Sequence, residues 1–156
     1  MHIKIIKTNK KKYLDLLLLA DEQESMIDKY LERGTMFALF DGTPDLFDGA
    51  PDPRAICVVT DEGDGVCELK NLATAPQFQR KGYGKLLVDY VWEYYQKDCH
   101  TMLVGTGDSP LTIPFYEKCG FSESHRIKNF FTDNYDHPIF EAGKQLVDMV
   151  YLKKVK

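Results

Sequence analysis

A glutamine, three cations and two glycines are packed into Gln79-Arg80-Lys81-Gly82-Tyr83-Gly84-Lys85, between the apolar run Glu68 to Ala75 and a helical pattern that begins near Tyr83. The order predicted is strand, glycine-bearing turn, helix start. At a helix N-terminus the first backbone N–H groups have no intrahelical partner and the macrodipole presents partial positive charge. A phosphate placed there collects several hydrogen bonds at once. Gly82 and Gly84 lack a Cβ, tolerate φ above zero and let the backbone approach such a group. Arg80, Lys81 and Lys85 add positive charge around the same point. The chemistry indicated is recognition of a phosphate or pyrophosphate.

Two better-known glycine loops do not fit. A Walker A loop needs four residues between its glycines and a Lys followed by Ser or Thr, whereas one residue separates Gly82 from Gly84 and Leu86 follows Lys85. A dinucleotide fingerprint needs a third glycine where Leu87 stands, and an acidic residue about 20 positions on that is missing. The pattern that does fit is QxxGxG. From Asn71-Leu72-Ala73-Thr74-Ala75-Pro76 through Gln79 to Leu87, the sequence closely resembles the acetyl-CoA motif of the Gcn5-related N-acetyltransferases, the GNAT family. Further on, Phe115-Tyr116-Glu117-Lys118-Cys119-Gly120-Phe121 is similar to that family's FYEKxGF segment. Asn129 to Ile139, with the ending Asp148 to Leu152, resembles a subgroup of small bacterial members.

The resemblance implies an α/β fold, an α+β sandwich. Its mixed sheet would have about six to seven strands and about four flanking helices, splayed between the fourth and fifth strands. It implies acetyl-CoA as co-substrate and direct acetyl transfer to an amine, with no metal. The backbone of Leu72, Ala73 and Thr74 would pair with the pantetheine amides. Gln79, Arg80, Lys81, Gly82, Tyr83 and Gly84 would form the pyrophosphate turn, and Lys85 would begin the helix. Tyr116 matches the tyrosine that protonates the leaving thiolate; a phenol of pKa about 10 is protonated at neutral pH and suits that role. Many members bond pantetheine through an asparagine at the corner where this chain has Gly107-Asp108-Ser109-Pro110, which leaves Ser109 or Asp108 as the substitute.

Glu68 stands on the strand leading into the motif, on the side from which family members often supply a carboxylate. Such a group could hold a cationic amine and take its proton. Strand alternation puts Glu68, Lys70 and Leu72 on one face and Leu69, Asn71 and Ala73 on the other, unless a bulge intervenes, as the resemblance implies. A catalytic carboxylate and a solvated strand carboxylate both fit that spacing. His125 and His137 are the other candidate bases, although a single histidine near a strand end is more often a surface or packing residue.

Around these residues the pattern predicts strands over His2 to Lys7, Met36 to Phe40, Arg54 to Thr60, Val66 to Ala75, Thr101 to Gly107, Phe121 to Ile127 and Leu146 to Leu152. Helices are predicted over Tyr13 to Leu19, Glu22 to Arg33, Gly84 to Gln96 and Pro114 to Lys118. Gly34 stands at the usual place of a left-handed cap, and Gly120 ends the short helix. Leu86, Leu87, Tyr90, Val91 and Tyr94 recur at helical spacing. Asp61-Glu62-Gly63-Asp64-Gly65 signals a hairpin turn, and Asp41 to Pro53 a loop. The 156 residues, with no low-complexity linker or repeat, suit a single domain over residues 1–156.

The net charge of −4 argues against general affinity for nucleic acid. No apolar run approaches the roughly 18 to 20 residues that span a bilayer, and the N-terminus shows no secretory h-region. The expectation is a cytoplasmic protein with no membrane partner. Cys57, Cys67, Cys99 and Cys119 lie apart without a CxxC pair and suit reduced, buried thiols. Asp41, Asp45, Asp48 and Asp52, with Glu22 and Glu24, could attract a cationic amine or simply solvate a loop. Phe131 and Tyr135, in the aromatic segment before the last strand, could line an acceptor cleft or a partner surface. The expected activity is N-acetylation of a primary amine on a small molecule, with homodimer formation open. The alternatives are a protein or peptide acceptor, or a non-catalytic acyl-CoA-binding module.

Overall fold

A computed structural model describes residues 1–42 and 52–156; Asp45 and Asp48 of the acidic loop lie outside the described residues. Strands β1 (His2–Ile6), β2 (Thr35–Phe40), β3 (Ala55–Gly63), β4 (Val66–Thr74), β5 (Thr101–Gly107), β6 (Ser122–Ile127) and β9 (Met149–Val155) form one sheet, ordered β1-β2-β3-β4-β5-β9-β6. β7 (Phe140–Glu141) and β8 (Lys144–Gln145) make a separate ribbon. The sheet is mixed: β4 and β5 run parallel, whereas β1–β2, β2–β3, β5–β9 and β6–β9 are antiparallel. Helices α1 (Leu14–Ala20), α2 (Glu24–Ile27), α3 (Tyr83–Tyr95), α4 (Ile113–Lys118) and α5 (Phe130–Asn134) complete an α/β architecture.

The chain divides into two compact units, residues 1–60 with 70–91 and residues 61–69 with 92–156. In the first, Leu17, Ile27, Leu31, Met36, Ile56 and Val58 form a core fully or almost fully removed from water, and Ala73 of β4 joins it. Asn71 enters the same interior, where its Nδ2 donates to the Leu17 carbonyl (3.0 Å) and the Tyr30 hydroxyl (3.1 Å). Tyr30 in turn donates to Asp21 Oδ2 at 2.9 Å, and burial, with Asp21 beside it, pushes its phenol upward.

Three features depart from the sequence pattern. The second helix is a single turn, Glu24–Ile27, followed by turns as far as Arg33. Gly34 is not left-handed, and its requirement is space: a Cβ there would lie 2.6 Å from Val58 Cγ1 and 2.9 Å from the Tyr30 carbonyl oxygen. The Gly34→Ala variant should therefore lose roughly 1–3 kcal/mol through overpacking, read as a lower urea midpoint at unchanged m. On α3 the buried face is Leu87, Val88 and Val91, while Tyr90 and Tyr94 are exposed.

In the second unit β9 lies between β5 and β6 and pairs with both. Phe131, Ile139 and Leu146 form a small core with Phe130, Tyr135 and Met149 packed on it. Phe131 and Tyr135 stack at 5.6 Å within that cluster, so Phe131 is a packing residue at 8% exposure. α4 closes with a Schellman motif: Gly120, at φ 95°, donates its N–H to Glu117, and Phe121 donates to Tyr116. Lys154 Nζ adds a bond to the Cys119 carbonyl at 2.8 Å.

The turn joining β3 to β4 has Asp64 (φ 54°) and Gly65 (φ 78°) both left-handed, the two-residue type I′ geometry that its Asp-Gly pair favours. All four cysteines are buried and unbridged. Burial pushes the Cys67 thiol up to about 12, so it is no nucleophile at neutral pH.

Candidate active site

The Gln79–Lys85 turn leaves β4 through a short 3₁₀ segment, Pro76–Phe78, and enters α3. Arg80 at φ 62° and Gly82 at φ 89° are both left-handed, so the backbone bends sharply twice between β4 and α3. The first i→i−4 bond of α3 is Leu86 N–H to the Gly82 carbonyl, 3.0 Å. The N–H groups of Tyr83, Gly84 and Lys85 therefore precede the helical ladder. A Cβ on Gly82 would meet no atom within 4 Å, so the hydrogen faces open space that an anion can fill. Together these donors fit a pyrophosphate.

Gln79 closes the turn: its side-chain Nε2 donates to the Thr74 carbonyl at 3.1 Å, tying the turn to the end of β4. Lys85 Nζ lies 2.7 Å from Asp89 Oδ2, so its charge is shared with the next helical turn. Arg80 and Lys81 remain exposed. Leu72 and Thr74 are half-buried and Ala73 is buried. Their strand continues past the β4–β5 ladder, whose pairs run from Val66↔Thr101 to Leu69↔Val104.

A brace under the turn was not visible in the motif. The Arg54 guanidinium sits 3.7 Å from the centre of the Phe78 ring and donates to the Asp41 carbonyl at 3.2 Å. The Tyr83 hydroxyl donates to Asp41 Oδ2 at 2.8 Å, and that bond raises the tyrosine's pKa. Nothing in the spacing marks Arg54, because it lies outside the motif and acts through a ring packed under it. Arg54→Ala should raise the acetyl-CoA Kd about three- to tenfold with kcat little changed, as titration calorimetry and saturating-substrate rates would show.

In the second unit, α4 places Tyr116 at 8% exposure, its ring edge-on to Phe115 (5.1 Å) and Phe121 (5.8 Å). The Gly107–Pro110 corner separates its two candidates. Asp108 Oδ2 pairs with Arg126 Nη1 at 3.1 Å and lies 3.8 Å from Lys144 Nζ. Ser109 is buried, and its hydroxyl accepts the Leu111 N–H at 3.1 Å.

Glu68 is 6% exposed, so the solvated-carboxylate reading does not hold. Its Oε2 accepts from the Tyr151 hydroxyl at 3.2 Å. The side chain of His125 is exposed and stacks on Tyr151, and His137 lies exposed beside Asp136 at 2.6 Å. Among the described residues no group of three or more His, Cys, Asp or Glu side chains could hold a metal ion. No helix among them is long and apolar enough to cross a membrane.

A mixed sheet of this order, with a glycine turn leading into a helix after its fourth strand, is that of an acetyltransferase of GNAT type. Residues 51–123 match the acetyltransferase (GNAT) domain family, and the chain belongs to that family. It is 35% identical over 148 residues to the uncharacterized N-acetyltransferase YvbK of Bacillus subtilis (strain 168), covering 94% of this chain and 90% of that protein. The crystal structure of a Bacillus subtilis acetyltransferase in complex with CoA superposes with a TM-score of 0.87 at 32% identity, covering 99% of this chain and 98% of the other. A GNAT family acetyltransferase from Elizabethkingia anophelis with acetyl-CoA bound gives 0.85 at 31% identity, covering 99% and 97%. The protein is an acetyl-CoA-dependent acyltransferase, with acetyl-CoA as its co-substrate.

Proposed function

We propose that residues 1–156 act as one acetyltransferase domain that transfers the acetyl group of acetyl-CoA directly to a primary amine of a small molecule. The observation that carries this reading is the enclosed Glu68 carboxylate, 6% exposed on β4 of a chain in an N-acetyltransferase family. An amine is a cation at neutral pH and must lose a proton before it can attack a thioester. A carboxylate removed from water both attracts the ammonium and can take that proton. A slender primary amine can reach a group so enclosed.

In this reading the amine nitrogen bonds to the thioester carbon, the C–S bond breaks, and Tyr116 gives its hydroxyl proton to the departing thiolate. Glu68 holds the proton taken from the amine, and exchange with solvent returns both side chains to their starting states. The Tyr83–Lys85 amides and the left-handed turn hold the pyrophosphate, and the Leu72–Thr74 backbone holds the pantetheine arm.

The test is release of free thiol from acetyl-CoA in the presence of spermidine, kanamycin, free lysine and a lysine-containing peptide, with mass spectrometry of each amine. Acetylation of one of the small amines at a rate well above the peptide is expected. Acetylation of the peptide alone would replace this acceptor class with a polypeptide.

A further inference from the structure

Glu68 and Tyr151 are separated by 83 residues, and the strands that carry them are not neighbours. β9 and β4 flank β5, so two sheet spacings of roughly 4.8 Å each separate them. A tyrosine and a glutamate meet over such a gap only if one side chain lies across the strand between. β5 has a glycine at that point: Gly105 is the register partner of Tyr151. A Cβ on Gly105 would come within 3.0 Å of Tyr151 Cζ and 3.2 Å of its Cε1, as well as 2.5 Å from Met149 Sδ. The bare Cα of β5 is the floor on which the phenol lies.

The other side of the ring is also held. His125 of β6 is the register partner of Tyr151 across the β6–β9 ladder, just after a register shift between Glu123 and His125. Its imidazole is stacked on the phenol at 4.8 Å with 3° between the planes. Ser124 Oγ lies 2.9 Å from His125 Nδ1. The ring of Tyr151 is thus set by a glycine and a histidine so that its hydroxyl meets one carboxylate oxygen.

From this arrangement we infer that Tyr151 is a positioning residue for the acetyl-transfer step, holding the Glu68 carboxylate in place, with Gly105 and His125 fixing the phenol. The inference rests on the reading of Glu68 as the group that takes the amine's proton. A buried carboxylate with rotatable χ angles otherwise samples several orientations. A hydrogen bond from a fixed phenol favours one of them and so helps hold the carboxylate toward the amine. Burial, and after it the Glu68 carboxylate, push the Tyr151 pKa upward, with Glu62 adding in the same sense, so the phenol stays a donor. Tyr151 neither gains nor loses a proton in the reaction.

The experiment is a kinetic cycle with wild type, Tyr151→Phe, Glu68→Gln and the double variant. It uses thiol release from acetyl-CoA with the most reactive of the four amines named above, and acceptor-free thiol release to water as a second readout. Tyr151→Phe keeps the ring and removes only the hydroxyl. The expected result is a kcat about ten- to thirtyfold lower, the scale of one hydrogen bond to a charged group, with the KM for acetyl-CoA within about twofold. Added to Glu68→Gln, which alone should cost at least tenfold, Tyr151→Phe should cost nothing further, since its partner is gone. Gly105→Ala, which pushes the ring off its floor, should reproduce the Tyr151→Phe loss.

A Tyr151→Phe rate equal to wild type, beside a depressed Glu68→Gln rate, would overturn the positioning role and leave Glu68 as base. Equal penalties from Tyr151→Phe in both backgrounds, or a KM that moves with kcat, would overturn it too and mark Tyr151 as structural. A Glu68→Gln variant with wild-type rate, or a wild type that releases no thiol under any condition, would overturn the reading of Glu68 and the inference with it.

Discussion

Gly82→Asp should lose acetyl-CoA binding by a hundredfold or more, about 2.7 kcal/mol, while the protein stays folded. Two effects act at the same atom. Gly82 holds φ at 89°, where an L side chain is strained by roughly 1–2 kcal/mol. The new Cβ points into open space, so the substitution brings no clash inside the protein. It does put a carboxylate where the turn offers its N–H groups to an anion, and that charge repels the pyrophosphate and competes for its donors. Gly82→Ala isolates the strain and should cost far less affinity than Asp. Titration calorimetry with acetyl-CoA, beside thermal melts, measures both. Wild-type affinity in the Asp variant would sink the assignment of the turn to phosphate.

Tyr116→Phe should lower kcat by about a hundredfold or more with the acetyl-CoA Kd unchanged, the signature of an interaction made in the transition state only. Phenylalanine retains the edge-on contacts with Phe115 and Phe121, so the ring stays in place and the lost function is the proton. The position of that hydroxyl depends on how α4 ends. Gly120 and Phe121 close the helix on Glu117 and Tyr116, and Lys154 ties down the Cys119 carbonyl. Single-turnover thiol release with a saturating amine separates chemistry from product loss. An undiminished rate would remove Tyr116 from the reaction.

What the sequence made legible was local. The Gln79–Lys85 turn, the Asp64-Gly65 hairpin and the Gly120 cap each rest on φ values and hydrogen bonds set within a few residues, so residue types alone announce them. What it hid was decided at long range. Gly34 looked like a cap because it follows a helical pattern, yet its constraint is Val58, on β3. The Tyr90 and Tyr94 stripe of α3 satisfied helical spacing equally well, and only the packed face shows that Val88 replaces it. Glu68 was ambiguous because burial of a strand residue depends on what lies over it, and Tyr151 arrives from another strand. Arg54 carries no pattern of its own. The bond of the Gln79 side chain to the Thr74 carbonyl likewise shows only in the fold.

The place of β9 between β5 and β6 bears on the order in which the second unit can assemble. β6 precedes β9 in the chain, yet among the described residues its ladder in the main sheet is with β9 alone. Until residues 149–155 dock on β5, the β6–β9 pair has no link to the rest of the sheet. Closing the long loop from β5 to β9 is the step that makes this link, an entropic cost that grows slowly with length but precedes the contacts it brings. Docking of β9 would then complete three things in one event: the ladder with β5, the berth for β6, and the tyrosine on Glu68. Catalytic competence should therefore appear in refolding as a late, cooperative phase, after helical signal has been regained.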